Sequence, residues 1–368
     1  MMSCRALVST APFAAEVAEV PVADELAGGG IGEVLAAGVC GTDVALFGDA
    51  PLSARVRPLV LGHENVVRIE RAEPLLAERW NVHVGDRVLV EEYVPCGQCL
   101  FCRRGLYRVC PRTDYLAPSF LRYGRMPLAG RPGPWGGFSE KLYLHPDTAL
   151  HPVPPALADE HAVMAVPLAN AIRWLTDVAA VQPDTSVVVF GPGAIGLSCV
   201  IAAQQAGAAN VVLIGLPGDR GRLAVGAALG ADPVLVVGED DIVDQLRTAT
   251  GGRGADVVAD ATGGSSAALE LAVTCTGFGG TILLPSATGP LPATVTAAAA
   301  ERELTLRGVR GHDGHSLRQA LRFLASGRFD IQLLTGRPVA LTDAARTLNA
   351  MSTPTPDRPA HVSIIPQL

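Results

Sequence analysis

The hydrophobic pattern changes texture twice along the chain. Up to about residue 155, short apolar runs alternate with turn signals. Val84-Gly85-Asp86 leads into Arg87-Val88-Leu89-Val90, and residues 30–35 form a second strand candidate. Beyond residue 155 the period lengthens. Residues 159–180 read as helical, and apolar strands follow at 186–190, 210–214, 233–237, 255–260 and 281–285, separated by helical segments such as 195–206 and 220–229. Short apolar strands alternating with helices predict a parallel sheet covered on both faces. After residue 300 the pattern loosens, leaving one amphipathic helix at 316–325. The Pro/Gly-rich stretch 126–137 reads as a surface loop, and no internal repeat is present.

Composition narrows the classes. A chain of 368 residues predicts two domains at roughly 100–200 residues each. With 49% hydrophobic and 18% charged residues, the bulk of it is expected to fold. A net charge of −7 without a dense Lys/Arg run argues against nucleic acid or an anionic membrane as partner. No apolar stretch is long enough to span a bilayer, and the first 22 residues lack the plan of an export signal, so a cytoplasmic location is expected. Eight cysteines change the picture more. Cys96, Cys99, Cys102 and Cys110 are clustered, whereas Cys4, Cys40, Cys199 and Cys275 are scattered. Without signs of an oxidising compartment, the cluster points to metal rather than disulfides.

Two motifs carry chemistry on their own spacing. Val187-Val188-Val189-Phe190 runs into Gly191-Pro192-Gly193-Ala194-Ile195-Gly196 and then a helix, the strand–turn–helix context in which a G-x-G-x-x-G turn cradles a dinucleotide pyrophosphate. The next strand ends at Gly215, where a carboxylate would select NAD by bonding the ribose 2′-OH. Asp219 lies farther on, with Arg220 and Arg222 close by. The missing carboxylate and the two arginines tilt the expectation to NADP, with NAD open if Asp219 folds back. Thr262 is a further cofactor-site candidate. The second motif, Cys96-x2-Cys99-x2-Cys102-x7-Cys110, suits a closed tetrahedral zinc site. An iron–sulfur cluster also uses close cysteines. A zinc ribbon for nucleic acid is disfavoured by the acidic balance and the adjacent nucleotide turn.

Ahead of the cluster lie Gly38-Val39-Cys40-Gly41-Thr42-Asp43 and Leu61-Gly62-His63-Glu64. In this order with the cysteine cluster and the glycine turn, they resemble the zinc-dependent medium-chain alcohol dehydrogenases, close to the polyol and threonine dehydrogenase branch. The resemblance implies an α/β chain with a GroES-like β-rich catalytic domain (1–155 and 305–368, with a zinc lobe at about 91–115). A Rossmann doubly wound parallel sheet (156–304) would be inserted between its halves. It implies Cys40, His63 and Glu64 as ligands of a catalytic zinc, Thr42 as the hydroxyl relaying the alcohol proton, and Asp43 as the group orienting the ligand histidine. It also implies a small alcohol or ketone substrate, and a homodimer or homotetramer assembled through the sheet edge around 281–285. Three positions depart from the family: Val166 where relatives place an acidic ligand, Ala45 where many carry an outer relay histidine, and Arg173 in place of a helix histidine. The expected activity is NAD(P)-linked interconversion of a secondary alcohol or polyol and its ketone. A zinc-independent carbonyl or enoyl reductase and a catalytically inactive dinucleotide-binding protein are the alternatives.

Overall fold

The computed structural model describes residues 2–25, 28–129, 131–286, 290–353, 355 and 358–368. The chain divides into two compact units. One comprises the chain up to Val166, Asp313–Thr353 and His361–Leu368. The other comprises Pro167–His312 with the short segment 354–360.

In the second unit the apolar strands assemble into one six-stranded parallel sheet. Its spatial order is Val234–Val236, Asn210–Gly215, Ser186–Phe190, Ala255–Asp260, Thr276–Leu284, Thr305–Gly308. Numbered along the chain this is 3-2-1-4-5-6, the doubly wound order whose reversal point lies beside the first strand. That first strand is buried at all five residues. Each of its Val side chains contributes on the order of 2 kcal/mol by leaving water. Helices Ala194–Ala206, Arg220–Ala228, Ile242–Ala249 and Ser266–Cys275 make the crossovers.

Two expectations for this part of the chain, the sheet edge and the long helix, are corrected by the structure. Thr276–Leu284 is bonded on both sides, to Ala255–Asp260 and to Thr305–Gly308, so the 281–285 segment is interior and Thr305–Gly308 is the edge. The compact units divide at 312/313, and the sixth strand belongs to the parallel sheet. The expected helix at 159–180 divides into Asp159–Ala162, Ala165–Ile172 and a π-helical turn at Arg173–Val178. Arg173 ties that turn to a distant segment. Its Nη1 donates to the carbonyls of Arg310 (3.5 Å) and Gly311 (3.3 Å), and Trp174 Nε1 also donates to Gly311 (3.0 Å).

The first unit is β-rich. A seven-stranded sheet runs Val339–Ala340, Ser363–Ile365, Gly30–Gly38, Glu64–Ala72, Arg87–Val90, Leu150–Pro152, and Lys141–Leu144 pairs with Gly30–Gly38. A second sheet joins the hairpin Met2–Ala11 and Ala14–Val22 to Leu59–Val60. The stretch 126–137 is a surface loop only in part: Ala129 is exposed and its neighbours half-buried, Gly130 lies outside the described residues, and Met126 and residues 133–137 are buried. Its glycines permit the passage, since a Cβ on Gly136 would stand 2.1 Å from the Val60 carbonyl oxygen, and one on Gly137 1.8 Å from Asn65 Oδ1.

Candidate active site and metal centres

Both candidate metal centres lie in the β-rich unit. The cysteine lobe follows strand Arg87–Val90 and contains the short helix Leu100–Arg103. Gly97 and Gly105 take left-handed conformations, φ +75° and +71°, that let so short a segment close on itself. Sulfur–sulfur distances are 3.5 Å for Cys99–Cys102, 3.6 Å for Cys110–Cys96 and 3.9 Å for Cys96–Cys102. A disulfide needs about 2.05 Å. Four thiolates at ~2.3 Å from a tetrahedral zinc stand about 3.8 Å apart, so the four residues fit the ion. Backbone N–H groups of Gln98 and Cys99 draw the Cys96 thiol down to about 6, toward the thiolate a metal requires, whereas burial pushes the Cys102 thiol up to about 12 and that of Cys110 up as well.

The second centre is assembled from distant segments. Strand Gly30–Gly38 pairs antiparallel with Glu64–Ala72, placing Gly38 opposite Glu64. Cys40 caps helix Gly41–Phe47 just beyond, and His63 immediately precedes Glu64. One donor atom from each of Cys40, His63 and Glu64 falls within a mutual 4.8 Å, and the two latter residues are buried. A thiolate, an imidazole and a carboxylate so grouped suit zinc with one position left open. Asp43 is fully buried and holds this set together. Its Oδ2 accepts from the Cys40 N–H (3.0 Å), and Oδ1 accepts from the Gly62 N–H (3.0 Å) and lies 3.3 Å from His63 Nδ1. Burial alone would pull the His63 imidazole down. The Asp43 carboxylate, with Cys40 and Glu92, overrides this and holds it well above its ordinary value. The Nδ1 contact also fixes the ring orientation that presents Nε2 to a ligand.

His361 belongs to this centre, although nothing in the chain's motifs points to it. Strand Ser363–Ile365 pairs with the other edge of Gly30–Gly38, Ser363 facing Gly38. Glu64 and His361 therefore arrive from opposite sides of Gly38, and His361 Nε2 meets Glu64 Oε2 at 2.8 Å, with the imidazole wholly buried. They meet because residue 38 has no side chain: a Cβ there would stand 2.2 Å from Glu64 Oε2 and 2.7 Å from His361 Nε2. The two partners are 297 residues apart, so no local spacing could have marked the histidine.

Thr42 sits in the first turn of helix Gly41–Phe47, half-buried, with Ala45 exposed on the same helix. Val166 is buried and offers no ligand atom. Of the remaining cysteines, Cys4, Cys199 and Cys275 are buried, and burial pushes their thiols up to about 11, 12 and 12. They are core side chains.

In the parallel-sheet unit the glycine turn has the geometry its motif requires. Gly191 has φ +88°, nothing lies within 4 Å of a Cβ placed on Gly193, and a Cβ on Gly196 would stand 1.8 Å from the Gly191 carbonyl oxygen. Helix Ala194–Ala206 starts here with Gly193 as its N-cap, so its first N–H groups lie beside the open space at Gly193, which fits a pyrophosphate. Pro192 packs toward Gly215, and Ala194 and Ile195 form the first turn. The Thr262 methyl lies against Gly191, and its hydroxyl donates to Asp260 Oδ1 (2.6 Å). Beyond Gly215, the Asp219 carboxylate folds inward. Oδ2 accepts from the Leu216 N–H (3.0 Å), and Oδ1 is paired with Arg222. Arg222 is buried and also donates to the Arg358 carbonyl (3.3 Å), whereas exposed Arg220 pairs with Glu239.

Known proteins resemble the chain over most of its length. The alcohol dehydrogenase GroES-like domain family matches residues 32–155, and the zinc-binding dehydrogenase family matches residues 194–326. A probable alcohol dehydrogenase of Mycobacterium tuberculosis is 38% identical over 323 residues, 87% of this chain and 86% of that protein. The erythritol/L-threitol dehydrogenase of Mycolicibacterium smegmatis is 32% identical over 271 residues, 72% of this chain and 71% of that protein. Among solved structures, the alcohol dehydrogenase TADH from Thermus sp. ATN1 superposes with a TM-score of 0.78 at 27% identity, covering 98% of this chain and 99% of that one. The chain belongs to the zinc-dependent medium-chain dehydrogenase superfamily, on its polyol-dehydrogenase-like side, and is a dehydrogenase acting on CH–OH groups.

Proposed function

We propose that the chain catalyses the reversible NADP-linked oxidation of a secondary alcohol or polyol to its ketone. It would do so with a catalytic zinc held by Cys40, His63 and Glu64 and a structural zinc held by Cys96, Cys99, Cys102 and Cys110. The observation that carries the reading is the convergence of three chemically different donors within 4.8 Å, ordered from behind by Asp43 and His361. When bound, zinc supplies Lewis acidity toward an alcohol or carbonyl oxygen, and the nicotinamide supplies or accepts hydride.

The chain's own residues do the rest. Asp43 fixes the His63 ring and the Cys40 backbone, so the donors are preorganised rather than collected by the metal. Thr42, two residues beyond Cys40, passes the alcohol proton toward solvent. Ala45 has no group to carry it farther, so water completes the path. The glycine turn at 191–196 holds the cofactor pyrophosphate, and Thr262 borders that turn. For the adenosine end, Gly215 offers no carboxylate and Asp219 is engaged by Leu216 and Arg222, so Arg220, Arg222 and Arg358 make the neighbourhood suit a 2′-phosphate. The relatives named for erythritol, threitol and alcohols support a small hydroxylated substrate. We place the working enzyme in the cytoplasm as a homodimer or homotetramer.

Metal analysis tests the central claim. Two zinc ions per chain, one lost with activity on changing Cys40, support it. One zinc, lost on changing Cys96 and not Cys40, moves the assignment to a zinc-independent reductase. Cofactor binding without turnover over a broad alcohol and ketone panel leaves only a dinucleotide-binding protein. Saturation with NADP and with NAD settles the cofactor, an advantage of about tenfold or more in Kd for NADP being expected.

A further inference from the structure

A pair of buried arginines beside the candidate active site takes no part in the chemistry of the metal centre or the proton path. Arg122 and Arg125 lie on a tight turn, Arg125 N–H donating to the Arg122 carbonyl (3.3 Å), with both side chains at most 6% exposed. The turn is pinned from several directions: Tyr123 N–H donates to the Glu92 carbonyl (3.1 Å), Gly124 N–H to the Trp135 carbonyl (2.5 Å), and the Tyr123 hydroxyl accepts from the His145 N–H (2.8 Å). It backs directly on the catalytic segment. Gly124 has φ +70°, and a Cβ there would stand 3.0 Å from both Gly62 carbonyl atoms and from His63 Cβ.

The hydrogen-bonding account of the pair does not close. Arg122 Nε donates to Glu92 Oε2 at 2.8 Å, and Arg125 Nη1 reaches only to 3.6 Å from that same oxygen. Both guanidiniums lie over tyrosine faces, Arg122 4.5 Å from the Tyr93 ring centroid and Arg125 4.9 Å from that of Tyr115. Nη1 of each is buried without a hydrogen-bond partner. Asp43, which acts on Arg125 through charge alone, has its oxygens committed to Cys40, Gly62 and His63. Two buried guanidiniums sharing one carboxylate oxygen, each with an unanswered N–H group, are costly unless something else accepts from them. Arginine forks match carboxylate and phosphate oxygens.

We propose that Arg122 and Arg125 form an anion subsite selecting alcohol or ketone substrates that carry a carboxylate or phosphate. Glu92 fixes Arg122, Tyr115 packs on both guanidiniums, and the pinned turn sets the pair against the His63 segment. The proposal rests on the dehydrogenase reading for the reacting end of the substrate, but the subsite can be tested apart from it.

Steady-state kinetics with sorbitol, gluconate and sorbitol 6-phosphate compare one neutral polyol with its carboxylate and phosphate counterparts. Wild-type kcat/KM is expected to favour one of the anionic members over sorbitol by about tenfold or more, and the preferred member identifies the anion. In Arg125→Gln that ratio collapses through KM, and Arg125→Lys restores part of it. In parallel, malonate is expected to raise the Tm of the wild-type protein and not that of Arg125→Gln. Equal wild-type kcat/KM for all three substrates with no malonate shift overturns the proposal. So does an Arg125→Gln loss that is the same for neutral and anionic substrates, which marks a purely structural role. If no alcohol or ketone is turned over, the dehydrogenase reading falls, and the Arg125-dependent malonate shift alone judges the subsite.

Discussion

The two metal centres of the β-rich unit are built in opposite ways. The cysteine lobe groups four candidate ligands from residues 96–110, and on the proposed assignment it would give every corner of a tetrahedron to a thiolate and leave no position for substrate. The second centre draws Cys40 from a helix cap, His63 and Glu64 from a strand entrance, and its supporting His361 from near the C-terminus. It groups three donors, and on the proposed assignment it would leave one corner open. A local, closed site contributes folding energy. A distributed, open one has its geometry set by the fold before the metal arrives, so its ligands can serve chemistry.

The strongest test of this contrast is Cys102→Ser. With one corner gone, the lobe loses the tie that organises a segment of little regular structure. A Tm drop of about 10 °C or more and loss of one zinc are expected by thermal denaturation and metal analysis. An unchanged Tm would break the comparison. Cys40→Ser should do the reverse, lowering kcat by on the order of 10³ while Tm moves by only a few degrees. Thr42→Val tests the open corner without touching a ligand. Turnover should fall by about 10²-fold with zinc content and cofactor affinity kept, and unchanged turnover places the proton path elsewhere.

How much of the molecule could be read from the chain follows the same division. The cysteine lobe and the glycine turn are short motifs whose residues sit side by side in the chain, so each could be read from its own spacing, and the structure brings the four cysteines together. The parallel strands were legible because burial on both faces makes each a continuous apolar run. What escaped was set by pairing between distant segments. Thr305–Gly308 has a mixed exposed pattern that does not announce a strand, yet it closes the parallel sheet. The passage at 126–137 looks like a loop because it is rich in Pro and Gly, but Gly136 and Gly137 serve close approach in the interior. His361 reaches Glu64 only through the register of two strands on either side of Gly38.

His361→Gln sharpens the comparison at that point. Glutamine keeps a donor but not the reach or rigidity of the ring, so Glu64 is held less firmly. Zinc affinity at the open centre should fall by about 10- to 100-fold, read by competition with a fluorescent chelator, with the zinc of the lobe untouched. If both zincs weaken together, His361 acts through the fold rather than through Glu64.

The smallest expected signal is a count of thiols. Cys4, Cys199 and Cys275 are buried, with thiols shifted so far upward that the reactive thiolate is scarce at neutral pH. On the proposed assignment the lobe cysteines would be protected by a metal held at four corners, whereas half-buried Cys40 would be protected at a centre with three donors. A brief treatment with a moderate chelator should therefore release one zinc and expose one thiol to a colorimetric reagent, in step with loss of turnover. Denaturation should then reveal the rest of the eight. If the first thiols to appear number four and activity outlasts them, the lobe is the weaker site, and the argument from closed and open coordination is wrong for this protein.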